Sequence, residues 1–176
     1  PPDPASHTFS TLGGNIAENA GGMCAVKYGV TKDYVRGLEV VLPSGQVVHT
    51  GSACAKDVVG YDLTTLFVGS EGTLGVVTKA TLRLLPLPEA KQTLTAAFSA
   101  LSAAAHTVSD IIGAGIVPTT LEFLDGASLA AVERHAGLGL PLSAEAFLLV
   151  EVDGDADGLD RPLARVRGIC EKNGAL

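Results

Sequence analysis

The chain has 176 residues, and 47% of them are hydrophobic, which excludes the polar composition of a disordered protein and allows one domain or two small ones. Its formal net charge of −7 excludes the basic surface that nucleic acids and anionic lipids require. No apolar run reaches the ~18 residues of a membrane span, and no stretch has the pattern of a signal peptide. We therefore expect a globular protein located in the cytoplasm.

The cysteines predict neither a disulfide framework nor a zinc site. Cys24, Cys54 and Cys170 are an odd number and form no C-x-x-C pair, which fits a reducing environment. The four histidines form no H-x-x-x-H pair, so we expect no metal site. The chain begins with Pro1, its one methionine is Met23, and it ends just after a predicted helix. We therefore expect a piece of a longer protein.

The first half of the chain predicts a hairpin, a short helix and a further strand. Residues 34–42 and 46–50 read as strands joined by the turn "PSG", and residues 62–68 read as a helix that stops at Gly69. Residues 75–86 alternate between apolar and polar side chains, which predicts a half-buried strand. Its predicted inward side chains are Val76, Ala80, Leu82 and Leu84.

A break in regular structure at "PLPEA" places a domain boundary near residue 88. Beyond it the patterns alternate between strands and helices, in the order β-α-β-α-β-α. The predicted strands are 93–98, 117–124 and 145–152, and the predicted helices begin near Leu101, Asp125 and Leu159. We expect an α+β layer with the helices on one face of a mostly antiparallel sheet, and parallel pairing remains an alternative.

Two glycine-rich stretches, "TLGGNIAENAGG" at 11–22 and "GSEGTLG" at 69–75, expose much backbone. Neither has the spacing of a P-loop or of a dinucleotide-binding G-x-G-x-x-G motif, and taken singly each is explained equally well by tight turns. Read in order with "DP" at 3–4, "KYG" at 27–29 and "GYDL" at 60–63, however, they form a longer pattern.

This pattern resembles the FAD-linked oxidases of the vanillyl-alcohol oxidase (PCMH) type, above all the flavin-carrying subunits of glycolate oxidase and the D-lactate dehydrogenases. The resemblance implies the second lobe of a PCMH-type FAD-binding domain over residues 1–88. It also implies the start of an α+β cap, or substrate, domain over residues 89–176. The first lobe of the FAD-binding domain would precede the region that matches Asp3.

The resemblance further implies which residues bind FAD. Backbone amides of the first stretch would donate to the pyrophosphate, small residues after it would lie along the flavin ring, and the second stretch would close the pocket. The implied residues are Thr11, Gly13, Gly14, Asn15, Asn19, Gly21, Gly22, Glu71, Gly72, Val76 and Val77. A contact from Asp3 is a weaker implication.

The activity implied is oxidation of a small D-2-hydroxy acid, such as glycolate or D-lactate, to the 2-oxo acid. Electrons would pass to a quinone, a cytochrome or a partner subunit rather than to NAD, and such partners could hold the protein at the inner membrane. The resemblance implies that the metal and substrate ligands lie beyond the region that these 176 residues match, so no catalytic residue is assigned and the 176 residues alone are expected to be inactive. The alternative is an accessory subunit or a non-catalytic flavin- or nucleotide-binding module of the same fold.

Three further features favour structural explanations. Cys24 has no neighbouring base to lower its pKa and reads as a small buried residue. Asp62 reads as a helix cap rather than a cofactor contact. The run "DGDADGLD" at 153–160 lacks the spacing of a calcium loop and reads as a solvated loop leading into a helix.

Overall fold

The computed structural model describes residues 2–176 and divides into two compact units between Pro86 and Leu87. Each unit holds its own three-stranded sheet. The division falls in the segment "PLP", where Pro86 and Pro88 lack the amide hydrogens that would continue a strand or a helix. The two units are described in turn.

The first unit contains three short helices and an antiparallel sheet of order β2-β1-β3. Its elements are α1 (Leu12–Glu18), α2 (Ala25–Tyr28), β1 (Val35–Val41), β2 (Val47–Gly51), α3 (Leu63–Phe67) and β3 (Val76–Leu82). The predicted hairpin is confirmed as β1 and β2. The predicted short helix is confirmed as α3, and the carboxylate of Asp62 caps it by accepting from the Thr65 amide at 2.9 Å.

Strand β3 departs from the regular alternation that the sequence predicts. Its pairing with β1 steps from Lys79 to Val77 and skips Thr78, so the side chains on either side of the bulge change faces. Val77 and Leu82 therefore pack against the core of the unit, whereas Val76 is 65% exposed. Leu84 lies beyond the end of β3 and is also exposed. Ala80 is exposed as well, so the predicted inward set is wrong for Val76, Ala80 and Leu84 and right for Leu82.

The core of the first unit joins one face of its sheet to helices α1 and α3. Its buried members are Ile16, Val35, Leu38, Val40, Phe67 and Val68. Ile16 is 2% exposed and comes from α1, the helix formed by the first glycine-rich stretch. Burial of this one side chain, worth roughly 1.5–3 kcal/mol, fixes that stretch against the sheet.

The second unit is an antiparallel sheet of order β4-β6-β5 with three helices. Its elements are β4 (Ala90–Phe98), α4 (Leu101–Gly113), β5 (Thr120–Asp125), α5 (Gly126–Ala136), β6 (Ala146–Gly154) and α6 (Asp160–Lys172). The predicted β-α-β-α-β-α order and the α+β class are confirmed, and of the two pairing alternatives the sheet is antiparallel.

Helices α4 and α6 cover one face of this sheet. Their apolar stripes meet the strands in a core of Ala96, Phe98, Ala104, Ile111, Ile116, Ala146, Leu148, Val150, Val166 and Cys170. The Asn173 side chain donates to the Asp110 carboxylate at 3.1 Å, and this bond joins the two helices near one end. One face of the sheet is thereby closed from water along much of its length.

Helix α5 lies on the opposite face, so the expectation that all helices share one face is wrong for α5. Its Leu129 is fully buried against Phe147, in a separate cluster with Ala97 and Leu124. Phe147 points away from Ala146 and Leu148, because neighbouring side chains of a strand alternate between faces. The unbroken apolar run "AFLLV" of β6 is the sequence signal for this arrangement, since a strand buried on both faces loses its alternation.

Candidate cofactor-binding site

The first glycine-rich stretch begins as a capped helix. Thr11 is extended, and its hydroxyl accepts from the Gly14 amide at 3.0 Å while its carbonyl accepts from the Asn15 amide at 2.9 Å. Two of the amides predicted to bind phosphate are therefore used inside the chain. For the Gly13 amide, no acceptor is found among residues 2–176.

Helix α1 ends at Asn19, which adopts the left-handed conformation with φ 51° and ψ 49°. The Ala20 amide returns to the Asn15 carbonyl at 2.9 Å and closes the helix end. The side-chain oxygen of Asn19 accepts from the Lys32 amide at 2.9 Å. The chain leaving α1 is thus fixed to the segment that enters β1.

The second glycine-rich stretch binds directly to the end of α1. The Gly69 amide donates to the Ile16 carbonyl and the Glu71 amide to the Ala17 carbonyl, each at 2.9 Å. The first stretch, 11–22, and the second stretch together with the two valines that follow it, 69–77, are therefore adjacent in space, although about fifty residues separate them in the chain. We call this pair of stretches the glycine junction.

Backbone strain is concentrated in the glycine junction. Among residues 2–176, two non-glycine residues have positive φ, Asn19 at 51° and Glu71 at 51°, and both lie in the junction. This conformation is uncommon for residues that carry a Cβ, although asparagine tolerates it better than glutamate. Strain of this kind persists where the surrounding structure enforces it, and it clusters at ligand sites.

The positions of the glycines in the first stretch differ in whether the chain itself leaves room for a side chain. A Cβ on Gly22 would lie 2.1 Å from the Asp3 carbonyl oxygen, so the packing of the chain itself excludes a side chain there. The Asp3 carboxylate also accepts from the Cys24 amide at 3.1 Å. In contrast, a Cβ on Gly13 would meet no atom within 4 Å, and α1 does not require positive φ there.

The predicted site residues fall into two groups by exposure. Thr11, Gly13, Gly14, Glu71, Gly72 and Val76 are exposed, and Asn15, Asn19, Gly21, Gly22 and Val77 are half-buried. The structure thus brings both stretches together and leaves one part of each open at the surface. The Val77 side chain faces the core of the first unit, so its surface is used there.

Residues 30–32, which lead into β1, support the glycine junction, and no motif in the sequence indicated this role. Thr31 donates to the Ala20 carbonyl from both its amide, at 3.0 Å, and its hydroxyl, at 2.7 Å. Val30 packs on Gly21, where an added Cβ would lie 3.0 Å from Val30 Cγ1. Because the hydrogen-bonded partners are eleven or more residues apart, no local pattern predicts their pairing.

The remaining candidates have structural roles. Asp62 is the cap of α3, as predicted, and hydrogen bonds from the Thr65 hydroxyl and amide lower the pKa of its carboxyl. Cys24 is half-buried, so the prediction that it is buried holds only in part; Cys54 is exposed and Cys170 is buried. The run at 153–160 forms the end of β6, a 3-10 turn and the start of α6. No group of three or more metal-ligating side chains comes together within residues 2–176.

None of the helices in the described part of the chain has the length and apolar character needed to cross a membrane.

Comparison with known proteins finds two families along the chain. Residues 1–51 match the family described as "FAD binding domain", and residues 87–176 match "FAD linked oxidases, C-terminal domain". The fold is similar to that of the solved alkyldihydroxyacetonephosphate synthase, with a TM-score of 0.78 over 99% of this chain and 34% of that one, at 23% identity.

Relatives of known name are similar over nearly the whole chain. The glycolate oxidase subunit GlcD of Bacillus subtilis is 56% identical over 100% of this chain and 37% of its own length. The GlcD subunit of Escherichia coli K12 is 43% identical over 99% and 35%, and the D-lactate dehydrogenase of Anaerostipes hadrus is 40% identical over 89% and 34%. This chain therefore spans about a third of the length of these relatives. With its mixed α+β fold and the oxidase domain matched from residue 87 onwards, the chain belongs to the family of FAD-linked oxidases.

Proposed function

We propose that the chain is part of an FAD-dependent oxidoreductase that oxidises a small D-2-hydroxy acid, of the glycolate or D-lactate type, to the 2-oxo acid. The printed names of the similar relatives, glycolate oxidase subunit and D-lactate dehydrogenase, support this substrate class. We further propose that the electrons pass to an acceptor other than NAD, through partner subunits or a quinone or cytochrome. The word subunit in the printed names of the GlcD relatives supports partner subunits. We place the protein in the cytoplasm, where such partners can hold it at the inner membrane.

The observation that carries the proposal is the missing side chain of Gly13. A glycine inside a helix destabilises it by about 0.5–1 kcal/mol relative to alanine. A Cβ placed on Gly13 would meet no atom within 4 Å, and Gly13 does not have positive φ. Neither packing within the chain nor backbone conformation therefore requires a glycine at this position. Gly13 shares this open space with other helical glycines, but it also lies among the exposed residues of the glycine junction, so the space beside it suits the close approach of a group that does not belong to the chain, such as the diphosphate of FAD.

The exposed and half-buried site residues have different proposed roles. We propose that Thr11, Gly13, Gly14, Glu71, Gly72 and Val76 contact the cofactor. The half-buried Asn15, Asn19, Gly21, Gly22 and Val77 would hold those contacts in place. Residues 1–88 would be the second lobe of the FAD-binding domain, and residues 89–176 would begin the cap domain that meets the substrate.

When bound, FAD supplies the hydride-accepting chemistry that the side chains of this chain lack. The chain's own contribution is to bind and orient. The backbone of the glycine junction, held by its own hydrogen bonds, presents a fixed surface, and the small residues let a planar ring lie close to it. Exclusion of water from that surface would strengthen each polar contact made there.

The test compares two Gly→Ala variants of the full-length protein, at Gly13 and at Gly168. Both glycines lie in helices, and at both an added Cβ meets no atom within 4 Å. We expect each substitution to stabilise the flavin-free protein by about 0.5–1 kcal/mol, measured by thermal unfolding. We expect Gly13→Ala alone to raise the dissociation constant for FAD, at least about tenfold, measured by flavin fluorescence on reconstitution.

The comparison separates a ligand contact from a helix effect. If Gly13→Ala and Gly168→Ala bound FAD with equal affinity, the assignment of Gly13 to the cofactor surface would be wrong. If the unsubstituted full-length protein took up no FAD, the proposed function as a whole would be wrong.

A further inference from the structure

Asn19 carries three features that no contact with a cofactor explains. It is left-handed, its side-chain oxygen accepts from the Lys32 amide at 2.9 Å, and Gly69 packs against its Cβ. A Cβ placed on Gly69 would lie 3.1 Å from Asn19 Cβ, so the two residues approach closely. Asn19 therefore touches both the strand-entry segment and the second glycine-rich stretch.

The left-handed turn at Asn19 determines where the last carbonyls of α1 point. The carbonyls of Ile16 and Ala17 accept from the Gly69 and Glu71 amides rather than from a continuing helix. If α1 continued past Asn19, amides of its own next turn would occupy these carbonyls. The turn at Asn19 thus creates the acceptors that join the second stretch to the first.

The side chain of Asn19 secures this turn. Asparagine is among the residues that adopt the left-handed conformation most readily, and its carboxamide oxygen is already bonded to Lys32. The same bond attaches the end of α1 to the residues that precede β1, the strand that contributes Val35, Leu38 and Val40 to the core. The Asn19 side chain therefore connects the junction to the sheet, beside the two bonds from Thr31 to the Ala20 carbonyl.

We propose that Asn19 is a positioning residue for the cofactor site: it holds the two glycine-rich stretches in register and does so through its bond to Lys32, not by contacting the cofactor. The part of this inference that concerns the cofactor rests on the proposed function. The part that concerns the register of the two stretches stands on the hydrogen bonds described above.

The test uses three variants of the full-length protein. Asn19→Gly keeps the left-handed conformation and removes the bond to Lys32. Asn19→Asp keeps both an acceptor oxygen and tolerance of that conformation. Asp125→Ala removes the cap of α5, which accepts from the Ser128 amide at 2.7 Å, and serves as a destabilised control in the second unit.

The first readout is amide hydrogen exchange of Gly69 and Glu71 in the flavin-free protein. We expect exchange at both amides to become at least about tenfold faster in Asn19→Gly and to stay at the original rate in Asn19→Asp and Asp125→Ala. Unchanged exchange in Asn19→Gly would overturn the inference, because the two stretches would then stay together without the side chain.

The second readout is the dissociation constant for FAD. We expect Asn19→Gly to weaken binding about tenfold, which corresponds to about 1.4 kcal/mol, and Asn19→Asp to restore it. Failure of Asn19→Asp to restore binding would overturn the inference in favour of direct contact by the amide nitrogen. If the unsubstituted protein bound no FAD, the proposed function would fail, and the exchange readout would still decide whether Asn19 sets the register.

Discussion

The hydroxyl of Thr119 is buried without a hydrogen-bond partner among residues 2–176, and the residue is 2% exposed. A buried polar group in this state loses its bonds to water and gains none in return. Replacing it with valine removes the hydroxyl and keeps the branched shape, while the Thr119 amide still donates to the Glu151 carbonyl. We therefore expect Thr119→Val to stabilise the protein by about 1 kcal/mol, measured by denaturant unfolding.

Thr64 provides the matched control because its buried hydroxyl does have a partner. It donates to the Thr50 hydroxyl at 2.9 Å, so Thr64→Val would leave Thr50 unpaired and destabilise the protein by about 1–2 kcal/mol. Equal effects of the two substitutions would mean that the hydroxyl of Thr119 is not the source of the instability.

Individual glycines show how far residue-level prediction reaches. The sequence predicts that the clustered glycines expose backbone for a ligand, and it assigns that one reason to all of them. The structure separates Gly22, which the Asp3 carbonyl keeps small, from Gly13, which no neighbour constrains. This difference depends on contacts between distant parts of the chain, which no local pattern contains.

At the scale of elements, the end of α5 depends on one carboxylate. Glu133 accepts from the amides of Leu138, Gly139 and Leu140 at 2.9–3.0 Å and thereby shapes the loop that follows the helix. These bonds, led by that from Leu140, lower the pKa of Glu133 below its ordinary value of 4.5. Because the folded pKa is the lower one, the stabilisation is present above pH 4.5 and disappears as the pH falls through the folded pKa.

We expect Glu133→Gln to lower the midpoint of thermal unfolding at pH 7, since it removes the charge that these amides bind. The difference from the unsubstituted protein should shrink as the pH falls below about 4.5. Thermal unfolding measured between pH 3 and pH 7 tests this, with the exposed Glu171→Gln as control. A difference that is independent of pH would show that the charge of Glu133 is not involved.

Element order was predictable because the helices and strands of the second unit each have their own apolar period, and one helix, α5, also has a side-chain cap. Asp125 caps α5 as predicted. What the patterns could not supply was the bulge at Thr78 in β3, because a bulge arises from pairing between strands. The placement of α5 on the second face has a signal in the apolar run of β6, which the expectation of helices on one face alone does not take into account.

At the scale of the whole molecule, Cys170 reports the opening of the second unit. It is 2% exposed in that unit's core, and burial raises the pKa of its thiol. Cys54 is exposed. We expect a thiol reagent to label Cys54 at least about a hundredfold faster than Cys170 in the native protein, followed by peptide mass mapping.

Denaturant should remove this difference, because Cys170 then becomes as accessible as Cys54. The control is Leu148→Ala, which opens a cavity in the same core and should speed labelling of Cys170 under native conditions. Fast labelling of Cys170 in the unsubstituted protein would contradict the packing of α6 against the sheet.

The family was predictable from the sequence because several short motifs stand in a fixed order over residues 3–78. For the glycine junction, the sequence predicted only that the two stretches lie together. Its supports, Thr31 and Lys32, donate their backbone amides to Ala20 and Asn19, and any residue except proline could donate in the same way. For that reason the sequence indicated the glycine-rich stretches of the candidate site but not the residues that support them.

The two sheets differ in which strand lies at the centre, and this sets the order in which they assemble during synthesis. In the first unit the central strand β1 emerges first, so β2 can pair as soon as it leaves the ribosome. In the second unit the central strand β6 emerges last, and β4 and β5 have no sheet partner until residue 154 has been made. During synthesis β4 thus stays unpaired for about the time needed to translate fifty residues and β5 for about thirty, and these unpaired strands expose the nascent second unit to aggregation.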